Sequence, residues 1–386
     1  MSRPLDGVLA VSLEQAIAAP YCTRLLADLG ARVVKVERPD GGDFARAYDT
    51  RARGLASHFV WTNRSKESLA LDLKDPVQLD ILRKLIAKAD VFVQNLAPGA
   101  VDRLGLAQHE LRRVHPRLVT CTISGYGEGG PYSSRKAYDL LIQAEAGFLS
   151  VTGTEDDMAK AGISIADIAS GVTACNAILA ALIQRGKTGA GDHIEISMLE
   201  AMAEWMGYPM YFALDGAPPP PRTGAGHATI YPYGPYATAD GSVFFGLQND
   251  REWVAFAEIV LQRSDLAADP RFKGNAGRAG HRGELEPIVT RVLSDLSTEE
   301  AMRRLDLADI ATARVNDMAA LWAHPQFAAR RRWREFGSPA GPLPGLLPAS
   351  GTGWEPRFDP VPALGENNEA IFAELGVAPL AKGAKP

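Results

Sequence analysis

The feature that most constrains this chain is the alternation of short, apolar, β-branched runs with helix-like segments through its first half. VLAVSL (8–13) reads as a buried strand, and Pro20 opens a helix that Gly30 stops. ARVVKVE (31–37) is the next strand, rich in valine. LALDL (69–73) precedes Asp75-Pro76, a cap and first turn for a helix running to Lys88. VFVQN (91–95), LVTCTIS (118–124) and HIEISM (193–198) are further short strands. Such alternation predicts an α/β fold, a mainly parallel sheet covered by helices.

The pattern changes after residue 212. LDGAPPPPRTGAG (214–226) carries too much Pro and Gly for a packed element and reads as a linker. The turn Ala239-Asp240-Gly241 between strand-like segments predicts a hairpin. Helical patterns follow near 250–262 and 281–306, an extended connection at 337–353 and a last short helix over 367–375.

AGISIADIASGVTACNAILAALIQR (161–185) places one carboxylate, Asp167, at the mouth of an apolar helix. Ile168, Val172, Cys175, Leu179 and Leu182 recur near helical spacing, and Gly186 ends the pattern. Asp167 stands near the positive end of the helix dipole, which should keep it ionised at neutral pH. From spacing alone it is an N-cap; a reactive group is the alternative. Ala166, Ala169, Ser170 and Gly171 are small and would leave room for a bulky ligand beside it.

With 386 residues the chain has length for two domains. A net charge of −5 provides no basic field for nucleic acid or an anionic membrane, though a few Arg and Lys can still cluster on a phosphate. Cys22, Cys121 and Cys175 have no paired spacing, so they read as reduced core thiols of a cytoplasmic protein. The seven histidines lack metal-ligand spacing, and no metal is expected. Glu14 and Gln15 interrupt the early apolar run, which argues against a signal peptide, and no run of membrane-spanning length is evident.

Three motifs are decoys. Gly125, Gly127 and Gly130 have dinucleotide-fingerprint spacing, but they follow a late strand and Pro131 begins no helix. GKTGAG (186–191) has Ala181 where a phosphate loop needs its first glycine. Ser124 lies in no nucleophile elbow.

Five blocks in order resemble the family III CoA-transferases, the CaiB/BaiF family, over almost the whole chain. They are AAPYCTRLLADLGARVVKVERPDGGDFAR (18–46), NRSKESLALDLKD (63–75), ADVFVQNLAPGAVDRLGL (89–106), PRLVTCTISGYGEGGPY (116–132) and the Asp167 region through Ala201. The resemblance implies a Rossmann-like large domain binding CoA (1–212), a smaller α+β domain (225–325) and a segment (326–386) returning to the first. It also implies an interlocked homodimer. Asp167 matches the family nucleophile. Gln15, Arg38, Leu71, Lys74, Asn95, Arg103, Lys136 and Tyr138 match positions around CoA, which is a substrate rather than a resident cofactor. Tyr138 would also line the reaction chamber. The segment GAGHATIYPYGPY (224–236) matches a loop that covers the site in relatives. With GLQNDREW (246–253), it looks closer to members acting on C4–C5 dicarboxylates such as mesaconate, itaconate, citramalate or succinate. A second substrate carboxylate would need a cation, with Arg46, Arg222, His227 and Arg251 as candidates. The superfamily's α-methylacyl-CoA racemases use a His that is Tyr138 here, in Lys136-Ala137-Tyr138-Asp139; a two-base racemisation would lose one partner. CoA transfer between two carboxyls of one acid would use the transferase chemistry.

Overall fold

Six strands lie side by side in one sheet: β1 (Leu9–Leu13), β2 (Arg32–Glu37), β3 (Lys66–Ala70), β4 (Val91–Gln94), β5 (Val119–Ser124) and β6 (His193–Ser197). The computed structural model in which they are seen describes residues 2–379. Their order is β3-β2-β1-β4-β5-β6, and every neighbouring pair is parallel. The order reverses between β1 and β4, which opens a crevice beyond their carboxyl ends, where ligands bind in doubly wound sheets. β1 and β4 are buried on both faces, so they read as continuous apolar runs rather than alternations. The third strand lies three residues earlier than LALDL suggests. Its polar start hides it in the sequence: Lys66 is buried on Glu14 (2.6 Å), and Glu67 pairs with Arg32 (2.8 Å).

The chain forms two compact units. The first holds residues up to Ala146, Ala161–Gly207 and the described residues from Phe327 onward. The second holds Gly147–Lys160 and Tyr208–Gln326. In the first, Val11, Leu13, Val34, Val36 and Phe92 of the sheet share a core with Leu82 and Leu85 of the helix Pro76–Ile86 and with Ile371 and Phe372 near the chain's end. The C-terminal segment covers the free edge of β3: Asn367 Oδ1 accepts from the Ser68 N–H, and Asn368 Oδ1 from that of Ala70, both at 2.8 Å. Within 337–353, read as purely extended, β11 (Leu343–Leu346) pairs antiparallel with β10 (Trp333–Phe336). In the second unit, the hairpin of β7 (Tyr233–Thr238) and β8 (Gly241–Gly246) turns at the expected residues, and β9 (Thr312–Arg314) joins β8. Its core gathers Phe245, Trp253, Phe256 and Leu285.

Two helices of the first unit set the site. Helix α1 (Ala18–Asp28) follows β1, and helix α3 (Ile165–Thr188) packs along it; between them in sequence lies α2 (Asp139–Glu145). By length and apolarity α3 could cross a membrane, contrary to the reading of the sequence, yet Ala166, Ala169, Ser170, Gly171, Ala174, Cys175 and Ile178 are buried in the fold. It runs past Gly186, where nothing crowds the backbone, and stops at Gly189, whose φ is +79°. Of the small residues expected to leave room for a ligand, all four are buried, and Gly171 brings two helix backbones together. A Cβ on Gly171 would sit 2.7 Å from the Ala18 carbonyl oxygen and 3.1 Å from Tyr21 Cδ1. All three cysteines are free and buried, and burial pushes the Cys121 and Cys175 thiols up to about 12.

Gly171→Ala should therefore lower stability by about 1–3 kcal/mol through overpacking. Helix propensity alone would favour alanine by about 1 kcal/mol. Urea unfolding reads the outcome as a lower midpoint at unchanged slope; an equal or higher midpoint would refute the close contact.

Candidate active site

Asp167 stands in the first turn of α3, two residues after Ile165 begins it. It caps nothing. The residue at the N-cap, Ser164, makes no side-chain cap either. The capping is done by Asp139, the first residue of α2, whose Oδ1 accepts from the N–H groups of Ala166 (2.8 Å) and Asp167 (3.3 Å). The other oxygen of Asp139 accepts from Gln143 Nε2 at 2.7 Å, and Gln143 Oε1 accepts from the Ala161 N–H at 3.0 Å. A chain of hydrogen bonds thus ties α2 to the entry of α3. The Asp167 carboxylate itself has no hydrogen-bond or ion-pair partner among the described residues.

Burial and then the charge of Asp139 push the Asp167 carboxyl up to about 7. This overturns the expectation that the helix N-terminus would keep it ionised. Two of the terminal N–H groups are directed at Asp139, which adds its own negative charge. The Asp167 proton is therefore held more tightly than that of a solvated carboxyl. A carboxylate in this state is a stronger base and nucleophile than a solvated one.

Two tyrosines lie nearby. Tyr138, immediately before α2, is 65% exposed. Tyr48 lies in the loop after β2, and burial together with the charges of Asp43 and Asp167 pushes its hydroxyl up to about 12. A buried ionic network pins that loop. Lys35 Nζ donates to Asp43 Oδ2 (2.8 Å), while Asp43 Oδ1 accepts from the N–H groups of Ala45 (2.9 Å) and Ala16 (3.1 Å). Glu14 lies 3.5 Å from Lys35 and takes a bond from Thr23. The sequence reading missed Tyr48, this network and the capping role of Asp139. The only local signal was the presence of charged residues inside strands; nothing in the sequence links Asp139 to a helix that starts 26 residues later.

The residues matched to CoA positions lie in segments that follow the carboxyl ends of strands. Gln15 follows β1 and Asn95 follows β4, on the two sides of the crevice. They clasp each other: the Gln15 N–H donates to Asn95 Oδ1, and Asn95 Nδ2 donates to the Gln15 carbonyl, both at 2.9 Å. Arg38 follows β2 and donates to the Gly42 carbonyl at 3.2 Å. Leu71, buried, and Lys74, exposed, follow β3. Lys74, Arg103 and Lys136 are exposed and without an ion pair among the described residues, so their charges are available to phosphate. The loop carrying Lys136 folds back on itself, with Gly125 so close to Ala137 that a Cβ would clash at 2.2 Å. No helix forms there before α2, which disposes of the dinucleotide motif.

The cations considered for a substrate carboxylate are differently placed. Arg46 forks onto Glu37 (2.7 and 2.8 Å), reaches the Pro362 carbonyl and lies 3.8 Å over the Phe59 ring, so its donors are committed to the fold. Against burial, Arg46 and Lys35 hold Glu37 down at about 2. In the second unit, Arg222 braces the carbonyls of Thr154 and Glu155. His227 Nδ1 accepts from the N–H groups of Thr229 and Ile230, and its ring stacks 5.3 Å from Tyr233. Neutral His227 therefore carries its proton on Nε2. Arg251 is exposed.

A doubly wound sheet with a carboxylate freed from capping beside its crevice defines an α/β enzyme built for nucleotide-bearing substrates. More particularly, the chain belongs to CoA-transferase family III, whose model matches residues 5–368. It is 32% identical to a succinate–glutarate CoA-transferase of Agrobacterium fabrum over 96% of both chains. It is 33% identical to the human succinyl-CoA:glutarate CoA-transferase, over 84% of this chain and 74% of that one. A CaiB/BaiF family protein from Brucella suis, 32% identical, superposes with a TM-score of 0.86 over 97% of this chain and all of the other.

Because the folded state raises the Asp167 pKa, ionisation there opposes folding. That contribution is absent below the unfolded value of about 4 and fully developed above about 7. Asp167→Asn should raise Tm at pH 8 by a few degrees, since each kcal/mol of relieved charge is worth about 1 °C in a chain of 386 residues. The gain should shrink as the pH falls toward 4. A pH-independent gain, or a loss at pH 8, would contradict the electrostatics described.

Proposed function

We propose that the protein transfers CoA from succinyl-CoA to a C4–C5 dicarboxylic acid, with Asp167 as nucleophile. The observation that carries the reading is the placement of Asp167: a carboxyl with no hydrogen-bond or ion-pair partner among the described residues, in a helix turn that another aspartate caps, its pKa raised by burial. The dicarboxylate assignment is supported by the two relatives whose names contain succinate or succinyl-CoA and glutarate.

Each step then balances. An Asp167 oxygen attacks the thioester carbonyl, the C–S bond breaks and CoA leaves as thiolate, giving a mixed anhydride. The thiolate attacks the Asp167 side-chain carbonyl carbon and expels the donor acid as carboxylate. The aspartyl-CoA thioester is attacked by the acceptor carboxylate, which regenerates thiolate and forms a second anhydride. Thiolate attack on the acceptor carbonyl completes the new thioester and frees Asp167. No proton is gained or lost, and every intermediate keeps its acyl group activated. A serine ester would not, which is why aspartate suits the task. Arg38, Lys74, Arg103 and Lys136 would meet the CoA phosphates, with Leu71 against the adenine and Asn95 and Gln15 fixing the crevice wall. A homodimer, in which the partner closes the site, completes the proposal.

Asp167→Ala should reduce transfer by about 10³-fold or more, as removal of a nucleophile does, with CoA affinity nearly intact. Hydroxylamine or borohydride during turnover should mark the Asp167 peptide by mass. Normal transfer by the variant, or an unmodified peptide under brisk exchange, would end this reading.

A further inference from the structure

We propose that Asp139 is a positioning residue for Asp167: one oxygen fixes the turn that presents the nucleophile, and its charge strengthens that nucleophile. The inference deepens the reading of Asp167 as nucleophile and rests on it.

The geometry gives Asp139 two separable duties. Its Oδ1 holds the Ala166 and Asp167 N–H groups, the Asp167 backbone itself included. Its Oδ2 is held in turn by Gln143, which also grips the Ala161 N–H on the approach to α3. The orientation of Asp139 is thereby fixed from its own helix. The second duty is electrostatic. A fixed negative charge disfavours the free Asp167 carboxylate but not its neutral adducts. Asp139 thus raises the energy of the resting nucleophile relative to both covalent intermediates.

Other elements around α3 do not share this duty. On α1, Arg24 and Asp28 pair with each other, and Asp28 also takes a fork from Arg64. β6 carries His193 and Glu195, and the helix Met198–Trp205 carries Glu200 and Glu204. β5 has no charged residue. The Tyr48 hydroxyl feels the charges of Asp43, Asp167 and Tyr138. Burial and Asp139 are the causes that act on Asp167.

The test separates the duties. Asp139→Asn keeps an oxygen acceptor and removes the charge; Asp139→Ala removes both; Asp139→Glu restores the charge. The Asp167 midpoint is read in the free enzyme by NMR with aspartate carrying ¹³C in its carboxyl, its signal assigned by loss in Asp167→Asn. For Asp139→Asn, the midpoint and the acid limb of kcat/KM should both move down by about one pH unit. Its kcat at pH 8 should fall about threefold as the carboxylate becomes less basic, for a Brønsted slope near 0.5, with KM for the CoA thioester changed less than about twofold. Asp139→Glu should return the limb toward its original place. An Asp139→Asn midpoint and limb that stay where they were would overturn the proposal, even if kcat fell. Should Asp139→Ala fail to fold, Asp139→Asn still decides. If Asp167→Ala transfers normally while Asp139→Asn moves the midpoint, the nucleophile reading falls and the electrostatic placement stands.

Discussion

The approach of Gly171 to the Ala18 carbonyl is the constraint on which the rest of the first unit depends. Two helix backbones meet there with no side chain between them. Close approach fixes the height of α3 against α1, and α1 is fixed by β1, the strand beside the crevice. The first turn of α3, four residues before Gly171, inherits that placement. A larger residue at 171 would push the helix outward and carry Asp167 with it. The interior is dense enough for such strain to be transmitted rather than absorbed.

Opposite this apolar contact, the loop between β2 and the Tyr48 region is held by charge. Glu14, Lys35 and Asp43 are almost wholly removed from solvent, as are Lys66 and Glu37. Isolated charges so placed would be costly, but each is paired and hydrogen-bonded. Burying a network of this kind adds little net stability compared with an apolar core. What it does is specify one arrangement, because any displaced member leaves a partner uncompensated. The loop so held carries Tyr48, whose hydroxyl feels the charge of Asp167. Rigid packing therefore fixes the helix that carries Asp167, and buried electrostatics the loop that carries Tyr48.

These two devices differ in how far they could be read in the sequence. The parallel sheet was legible because strands buried on both faces are runs of valine, leucine and isoleucine and because Asp75-Pro76 is a local signal, and the hairpin of the second unit because Ala239-Asp240-Gly241 is another. β3 was misplaced because its first residues are buried Lys66 and paired Glu67, a tertiary effect with no local signature. Asp167 was legible through its surroundings, but its state was not. The dipole argument assumed free N–H groups, and the group that takes them, Asp139, lies 28 residues away. Arg46 was a reasonable cation for a substrate until Glu37 and the Pro362 carbonyl were seen to occupy it. Gly171 was read as one of the residues leaving open space, whereas it lets α1 in. Each miss involves a partner distant in sequence, whose choice only the assembled fold makes.

The electrostatics of Asp167 suit a cycle that alternates charge and neutrality on one side chain. The free carboxylate is anionic; the anhydride and the thioester at the same carbon are neutral. A site that stabilised the anion strongly, with an arginine or several N–H donors, would bury the resting enzyme in a deep well and raise the barrier to every acyl exchange. Here the terminal donors of α3 are turned to Asp139, burial penalises the charge and no cation approaches it. On the proposed mechanism the resting state is raised toward the intermediates, and exchange among states of similar energy would run readily in both directions. A reversible transferase needs that levelling, because its substrates and products are all thioesters and acids of nearly equal free energy. A hydrolase has no such need, since water draws its reaction to completion. If Asp167 is the nucleophile, as proposed, the want of stabilising partners around it among the described residues serves the transfer.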